Sequence, residues 1–215
     1  MLRVGLTGSI AVGKSFVSGV LAELGCRLLD ADATAREVVE PGSAALRSIV
    51  TAFGPDILRA DSTLDRAKLG AVVFADADQR ARLNSILHPY IIARQDERLR
   101  EWETTDPNGI AVVDAALMIE SGGYKRFDKL IVVHCRDDVQ LQRVMVRNNL
   151  HSEEAQRRIA AQMPQDEKKK FADYLIDTSA GFDAARQRAT EVYEELRADG
   201  ERKASSTASI SEVSE

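Results

Sequence analysis

The stretch Gly8-Ser9-Ile10-Ala11-Val12-Gly13-Lys14-Ser15 decides the reading of this chain. It matches G-x-x-x-x-G-K-[ST], and its flanks agree with what that pattern needs. Before it lies the apolar run Leu2–Leu6, which reads as a buried parallel strand. After it, Phe16, Val17, Val20, Leu21 and Leu24 recur at helical spacing, and Gly25 supplies a stop. A strand, a glycine-bearing turn and a helix N-terminus together turn backbone N–H groups inward around an anion, and the helix end adds positive potential. In such a phosphate-binding loop Gly8 and Gly13 permit the backbone angles. Ala11, Val12 and Phe16 lie along the nucleotide. Lys14 neutralises the β- and γ-phosphates, and Ser15 offers its hydroxyl to Mg²⁺.

Working outward, strand-like and helix-like segments alternate. Arg27–Asp30 reads as a second strand, Ile110–Val113 as a third, Leu130–His134 as a fourth and Tyr174–Ile176 as a fifth. Helices are expected over Thr34–Val39, Ala44–Phe53, Arg66–Phe74 and Asp78–Trp102, the last kinked or split at His88–Pro89. Further helices are expected over Asp137–Arg147, over Ser152–Gln162 with Ser152 opening it as a cap, and over Phe182–Leu196. The fold class that follows is α/β: a parallel five-stranded sheet of the P-loop NTPase type, flanked by helices. From about Asp199 the chain is rich in Ser, Ala and Glu without an apolar period, so 201–215 reads as a disordered tail.

A phosphate loop by itself serves kinases, GTPases and mechanical ATPases. No Asp-x-x-Gly switch after a strand and no Asn-Lys-x-Asp base reader accompanies this one, which argues against a GTPase. A kinase also needs an acidic group for the acceptor hydroxyl, and Asp30-Ala31-Asp32 stands at the carboxyl end of the second strand, where open α/β sheets bind ligands. One of the two carboxylates is expected to cap the next helix and the other, Asp32, to act as base. Arg143 and Arg147 lie four residues apart and project from one helix face. They are either a solvated face or cations for the transferring phosphoryl group. Asp114, directly after the third strand, is either an N-cap or a holder of the Mg²⁺ shell. Lys169 and Lys170 read as a helix terminus in water; Trp102 and Tyr90 read as packing residues.

The chain resembles the dephospho-coenzyme A kinase family. The likeness is carried by Gly5-Leu6-Thr7-Gly8, Asp30-Ala31-Asp32, Ala35-Arg36-Glu37-Val38-Val39, Pro41-Gly42, Phe53-Gly54, Leu64-Asp65-Arg66, Leu83-Asn84 and His88-Pro89. It continues through Asp114 with Leu117 and Glu120-Ser121-Gly122, then Gln142-Arg143, Arg147, Arg158-Ile159-Ala160, Gln162, Lys168 and Ala172-Asp173, covering nearly all of 1–180. The resemblance implies transfer of the γ-phosphate of ATP to the ribose 3′-hydroxyl of dephospho-CoA. It makes Asp32 the general base, gives Arg36, His88 and the Leu117–Glu120 segment to the acceptor, puts Arg143 in a mobile lid, and suggests that Lys168 supports the lid. The implied organisation is a single kinase unit over 1–200. Its core would span about 1–35, 105–137 and 172–198, with a helical acceptor-binding insertion over about 36–104 and a lid over about 138–171. Ser9, Ala11, Phe16, Ala116 and Thr178 depart from the family pattern, where glycine, glycine, threonine, proline and asparagine are usual.

Composition limits the alternatives. The 215 residues carry a formal net charge of −5 with 44% apolar content, enough for a core and without an overall basic field for nucleic acid or anionic membrane. Cys26 and Cys135 form no disulfide framework, and His88, His134 and His151 form no metal-ligand pattern. No stretch approaches a membrane span, and the start shows no signal-peptide pattern, so a cytoplasmic location is expected. The resemblance implies ATP and dephospho-CoA as the small-molecule partners, and a monomer is expected. Two rivals remain: a kinase of nucleosides or nucleotides on the same scaffold, and a protein that binds ATP without transferring phosphate.

Overall fold

The structure is a computed structural model that describes residues 1–212, with side chains described through residue 206. Five strands form one sheet: β1 (Leu2–Thr7), β2 (Arg27–Asp30), β3 (Ile110–Asp114), β4 (Lys129–His134) and β5 (Tyr174–Asp177), in the order β2-β3-β1-β4-β5. β1 is central and runs parallel to β3 on one side and β4 on the other, and β4 runs parallel to β5. The order reverses at β1, which makes its carboxyl end the switch point where such sheets bind ligands. The expected sheet is the one found. Its strands differ from the sequence reading by single terminal residues.

The strands are apolar because both faces are covered. Val4, Leu6, Val112 and Ile131 are fully buried, packed with Val17, Val20 and Leu21 of α1 (Lys14–Glu23) and with Ala189, Val192 and Leu196 of the C-terminal helix. That helix, α9, runs Phe182–Glu212. This corrects the expected structureless tail. The polar residues just after Leu196 face partners instead: Asp199 accepts a hydrogen bond from the Tyr174 hydroxyl at 2.5 Å, and Lys203 Nζ donates to the Met1 carbonyl and to Asp128. Residues 213–215 of the expected tail lie outside the described residues.

Cα packing divides the chain into two compact units, Met1–Leu29 with the segment from Trp102 onward, and Asp30–Glu101. The second holds α2 (Ala31–Glu37), α3 (Ala44–Phe53), α4 (Arg66–Ala75) and most of α5 (Ala77–Thr105). It has its own core of Val39, Leu46, Ile49, Ile57, Leu69 and Val73. Each of its shorter helices starts on a side-chain cap: Asp30 for α2, Ser43 for α3 and Asp65 for α4. By packing, the helical unit runs from Asp30, the residue that ends β2 and caps α2, to Glu101. α5 is one helix of 29 residues with Pro89 inside it.

The other unit holds α6 (Asp137–Asn148), α7 (Ser152–Ala160) and α8 (Gln165–Lys169), the segment expected to form a lid. Ser152 is the first residue of α7 and does not cap it, since His151 takes the N-cap position. The sequence reading also lacks α8, whose five residues are too few to show a period.

Candidate active site

The loop after β1 has the backbone its sequence requires. Ala11 and Gly13 both lie in the left-handed region, at φ 60° and 91°, and Gly13 forms the N-cap of α1, its carbonyl accepting from Phe16 N and Val17 N. Alternating hand turns successive N–H groups to one side, which makes an anion-binding concavity. Gly8 is required by close approach: a Cβ there would stand 2.6 Å from the Val133 carbonyl oxygen of β4. Lys14 and Ser15 open α1, where N–H groups have no carbonyl one turn earlier to bond, and Ser15 is exposed.

The register of the sheet brings Asp114 to this loop. Leu6 lies opposite Asp114, and Ala115 N donates to the Leu6 carbonyl at 3.0 Å, so the last residue of β3 ends beside the root of the loop. Lys14 Nζ donates to Asp114 Oδ1 in an ion pair whose side chains are 19% and 14% exposed. No helix starts at Asp114, which removes the N-cap reading. The Asp114 carboxylate and the Ser15 hydroxyl are hard oxygen donors. They suit Mg²⁺, an ion that takes most of its remaining ligands from phosphate and water.

A set of buried and half-buried polar side chains braces the loop from behind. Thr178, fully buried, donates its hydroxyl to the Val12 carbonyl at 2.7 Å. Arg143 then donates to Thr178 twice, from Nη1 to Oγ1 at 2.8 Å and from Nη2 to the carbonyl at 2.9 Å. The same guanidinium lies 5.7 Å from the centre of the Phe182 ring, which packs on Phe16 with ring centres 4.5 Å apart. Two of the five donors of Arg143 are therefore held by Thr178, on the far side of the Val12 peptide. Arg147 is exposed, and its Nε donates to Asn148 at 3.3 Å, so the two arginines expected to act from one face have different surroundings.

Three glutamines complete the brace. Gln162 Oε1 accepts from Ile10 N at 2.7 Å, Gln140 Nε2 donates to the Ile10 carbonyl at 2.8 Å, and Gln165 Nε2 donates to Gln140 Oε1 at 2.9 Å. Gln165 Oε1 also accepts from Cys135 N. Sequence reasoning left Gln140 and Gln165 without a role, yet one signal was present: Gln140 and Val144 are four residues apart and both buried, so an amide occupies the core-facing stripe of α6 and must find partners. Ser9 differs. Its hydroxyl is buried without a hydrogen-bond partner and borders a cavity of about 600 Å³ lined also by Leu141, Ile159, Gln162 and Met163.

On the segment after β3, Leu117 is 53% exposed. Glu120 is engaged: it accepts from Lys168 Nζ at 2.8 Å and from Met163 N at 3.3 Å. In the helical unit Asp30 Oδ1 accepts from Asp32 N at 2.7 Å and Ala33 N at 3.2 Å. Asp30 is thus the cap, and Asp32 is left exposed in the first turn of α2. Arg36 and His88 are exposed in the same unit. The structure therefore gathers Gly8, Ala11, Val12, Gly13, Lys14, Ser15 and Asp114 into one cradle braced through Thr178 by Arg143. Asp32, Arg36 and His88 belong to the helical unit.

Comparison with known proteins agrees with this geometry. The family model described as dephospho-CoA kinase matches residues 2–183. Dephospho-CoA kinase of Geobacillus kaustophilus is 46% identical over 188 residues, covering 86% of this chain and 92% of the relative, and that of Streptomyces avermitilis is 40% identical over 197 residues, covering 91% and 94%. Among solved structures, TT1252 from Thermus thermophilus superposes with a TM-score of 0.78 at 28% identity, covering 91% of this chain and 97% of its own. Dephospho-CoA kinase from Campylobacter jejuni superposes at 0.62 and 27%, covering 90% and 96%. Shikimate kinase from Acinetobacter baumannii, at 20% identity and a TM-score of 0.51, shares the fold. A phosphate cradle at the switch point of a parallel sheet, matched along 182 residues to one family model, leaves a single conclusion: this chain belongs to the dephospho-CoA kinase family.

Proposed function

We propose a division of labour among these residues for the family's reaction, transfer of the γ-phosphoryl group of ATP to the ribose 3′-hydroxyl of dephospho-CoA, the last step of coenzyme A synthesis. The loop N–H groups of Gly8–Ser15 hold the phosphate tail of ATP. Lys14 exchanges its partner Asp114 for the β- and γ-phosphates, and Asp114 with Ser15 would hold Mg²⁺. When bound there, Mg²⁺ would supply charge neutralisation for the phosphate tail.

Asp32 orients the attacking 3′-hydroxyl and accepts its proton. Both carboxylates are exposed, but Asp30 already serves the helix as its cap, which leaves Asp32 for the acceptor. Arg36, His88 and the Leu117–Glu120 segment bind the acceptor. Phe16 and Arg147 line the nucleotide, and Arg143 acts on the phosphoryl group when the α6–α8 lid closes over it, which also excludes water. We further infer a monomer working in the cytoplasm. Among the described residues no helix is long and apolar enough to cross a membrane, and Cys26 and Cys135 are both free thiols.

The observation that best supports this reading is the Lys14–Asp114 ion pair beside the loop, a cation and a carboxylate of the kinds that nucleotide phosphates and Mg²⁺ take as partners. The test is ADP release followed with and without dephospho-CoA. Wild-type protein should release ADP only with acceptor, and Asp32→Ala should lose about 10²–10⁴-fold in turnover while retaining ATP affinity. Near-normal turnover in Asp32→Ala would remove the base assignment.

A further inference from the structure

We propose that Lys168 is a positioning residue for the acceptor: it holds segment 115–122 in register with the phosphate loop and ties that segment to the α6–α8 lid. The proposal rests on the reading above that this segment takes dephospho-CoA. Lys168 is 1% exposed, on a helix of five residues, and a buried ammonium is costly unless every donor finds an acceptor.

Lys168 Nζ donates to the Ala116 carbonyl at 2.8 Å and to Glu120 Oε1 at 2.8 Å. Both acceptors belong to the segment after β3. The Ala116 carbonyl also accepts from the Thr7 hydroxyl at 3.1 Å, and Thr7, fully buried, is the last residue of β1 before Gly8. Glu120 also accepts from Met163 N at 3.3 Å, in the chain that returns from α7. One ammonium therefore joins three parts of the site: the root of the phosphate loop, the segment carrying exposed Leu117, and the base of the lid.

The base from which Lys168 reaches is itself anchored, since Gln165, one turn earlier, bonds Cys135 N at the end of β4 and Gln140 of α6. The segment it reaches is packed at Met118 and Ile119, both buried. It forms neither strand nor α-helix, and its backbone bonds include Ala115 N to the Leu6 carbonyl, Ser121 N to Leu117, Gly122 N to Ile119 and Tyr124 N to Met118, none of them at Ala116. The Ala116 carbonyl takes its hydrogen bonds from two side chains, Thr7 and Lys168. If burial alone mattered here, an apolar side chain would serve as well, because buried ion pairs exchange for apolar contacts with little loss. What an apolar side chain cannot do is choose one orientation for a particular carbonyl and carboxylate. A movement of α8 as the lid closes is then transmitted to residues 116–120.

The experiment is steady-state kinetics on the full chain, varying ATP and dephospho-CoA separately, for wild type, Lys168→Met, Lys168→Arg and the double variant Lys168→Met/Glu120→Gln. Lys168→Met should raise the KM for dephospho-CoA about tenfold and leave the KM for ATP within about twofold. Lys168→Arg, which keeps the charge and donors, should recover part of that loss. Lys168→Met leaves Glu120 without its cation and is the variant at risk of not folding. The double variant removes both charges, and it should fold and keep the acceptor defect. An acceptor KM back at the wild-type value in the double variant would show that the lysine only neutralises Glu120, and would overturn the proposal. Equal rises in both KM values would overturn it too. If wild type itself shows no release of ADP that depends on dephospho-CoA, the functional reading fails along with the proposal, and that failure is visible before any variant is compared.

Discussion

Thr178→Val isolates the brace behind the phosphate loop, because valine keeps the shape and removes the hydroxyl alone. In the native chain that hydroxyl is fully buried, donates to the Val12 carbonyl at 2.7 Å and accepts from Arg143 Nη1 at 2.8 Å. A buried neutral hydrogen bond contributes about 1 kcal/mol net and one to a charged group about 1.5–3, and since Arg143 keeps its second bond to the Thr178 carbonyl, the loss should be about 2–3 kcal/mol of stability. The Val12 peptide lies between Ala11 and Gly13, both left-handed, so part of that loss falls on the conformation that binds phosphate. If about half does, ATP binds about tenfold more weakly, since about 1.4 kcal/mol is a factor of ten. Urea unfolding measures the first quantity and calorimetric titration with ATP the second, with Thr178→Ser as the control that keeps the hydroxyl. A Thr178→Val protein that unfolds earlier yet binds ATP within twofold of wild type would show that the loop holds its form without this bond, and the reasoning would be refuted.

Two further outcomes follow from the same region. Gly13→Ala puts a Cβ 3.2 Å from Thr178 Cγ2 on a residue at φ 91°, and the left-handed backbone alone costs about 1–2 kcal/mol. The variant should lose ATP affinity more than stability, and unchanged ATP titration would contradict the cradle geometry. His134, at the carboxyl end of β4, is held below the ordinary imidazole value of 6.5 chiefly by burial, with the charge of Lys169 adding to it and the carboxylates of Asp177 and Asp166 opposing it. The unfolded chain therefore takes this proton at a higher pH than the folded one. Stability from this group is complete above about pH 6.5 and declines as pH falls from there toward the folded value. Thermal melts of wild type between pH 8 and pH 5 should fall more steeply than those of His134→Gln, and an NMR titration placing His134 at or above 6.5 would reverse the sign.

What could be read from the sequence was whatever depends on neighbours along the chain. The loop motif between an apolar run and a helical period placed β1 and α1, and the alternation of apolar runs with helical periods gave the parallel sheet, because each such signal lies within one element. That Asp30 and not Asp32 caps α2 was also readable, since capping acts over two or three residues. The tail was misread for a related reason. Past Leu196 the sequence carries no apolar stripe, and α9 continues there on polar pairs that close across the sheet unit, such as Tyr174 with Asp199 and Lys203 with Asp128. A periodicity argument has no access to a partner 25 or 75 residues away.

The brace of the phosphate loop belongs to the same class, and its reach explains why the site needs the whole fold. The bonds that hold Ile10 come from Gln140 and Gln162, 130 and 152 positions along the chain, and the bond that holds Val12 comes from Thr178, 166 positions along. Side-chain amides and a hydroxyl do here what neither apolar packing nor a longer helix can do, since each fixes the direction of one peptide group. The loop could not keep Ala11 and Gly13 left-handed on local preference alone, because for Ala11 that preference runs the other way by about 1–2 kcal/mol. A loop whose N–H groups must already point at phosphate before ATP arrives therefore draws its order from β4, α6, α8 and the turn after β5. For that reason the residues most exposed to error in a sequence reading, Gln140, Gln165 and Thr178, are the ones on which the geometry of the readable motif depends.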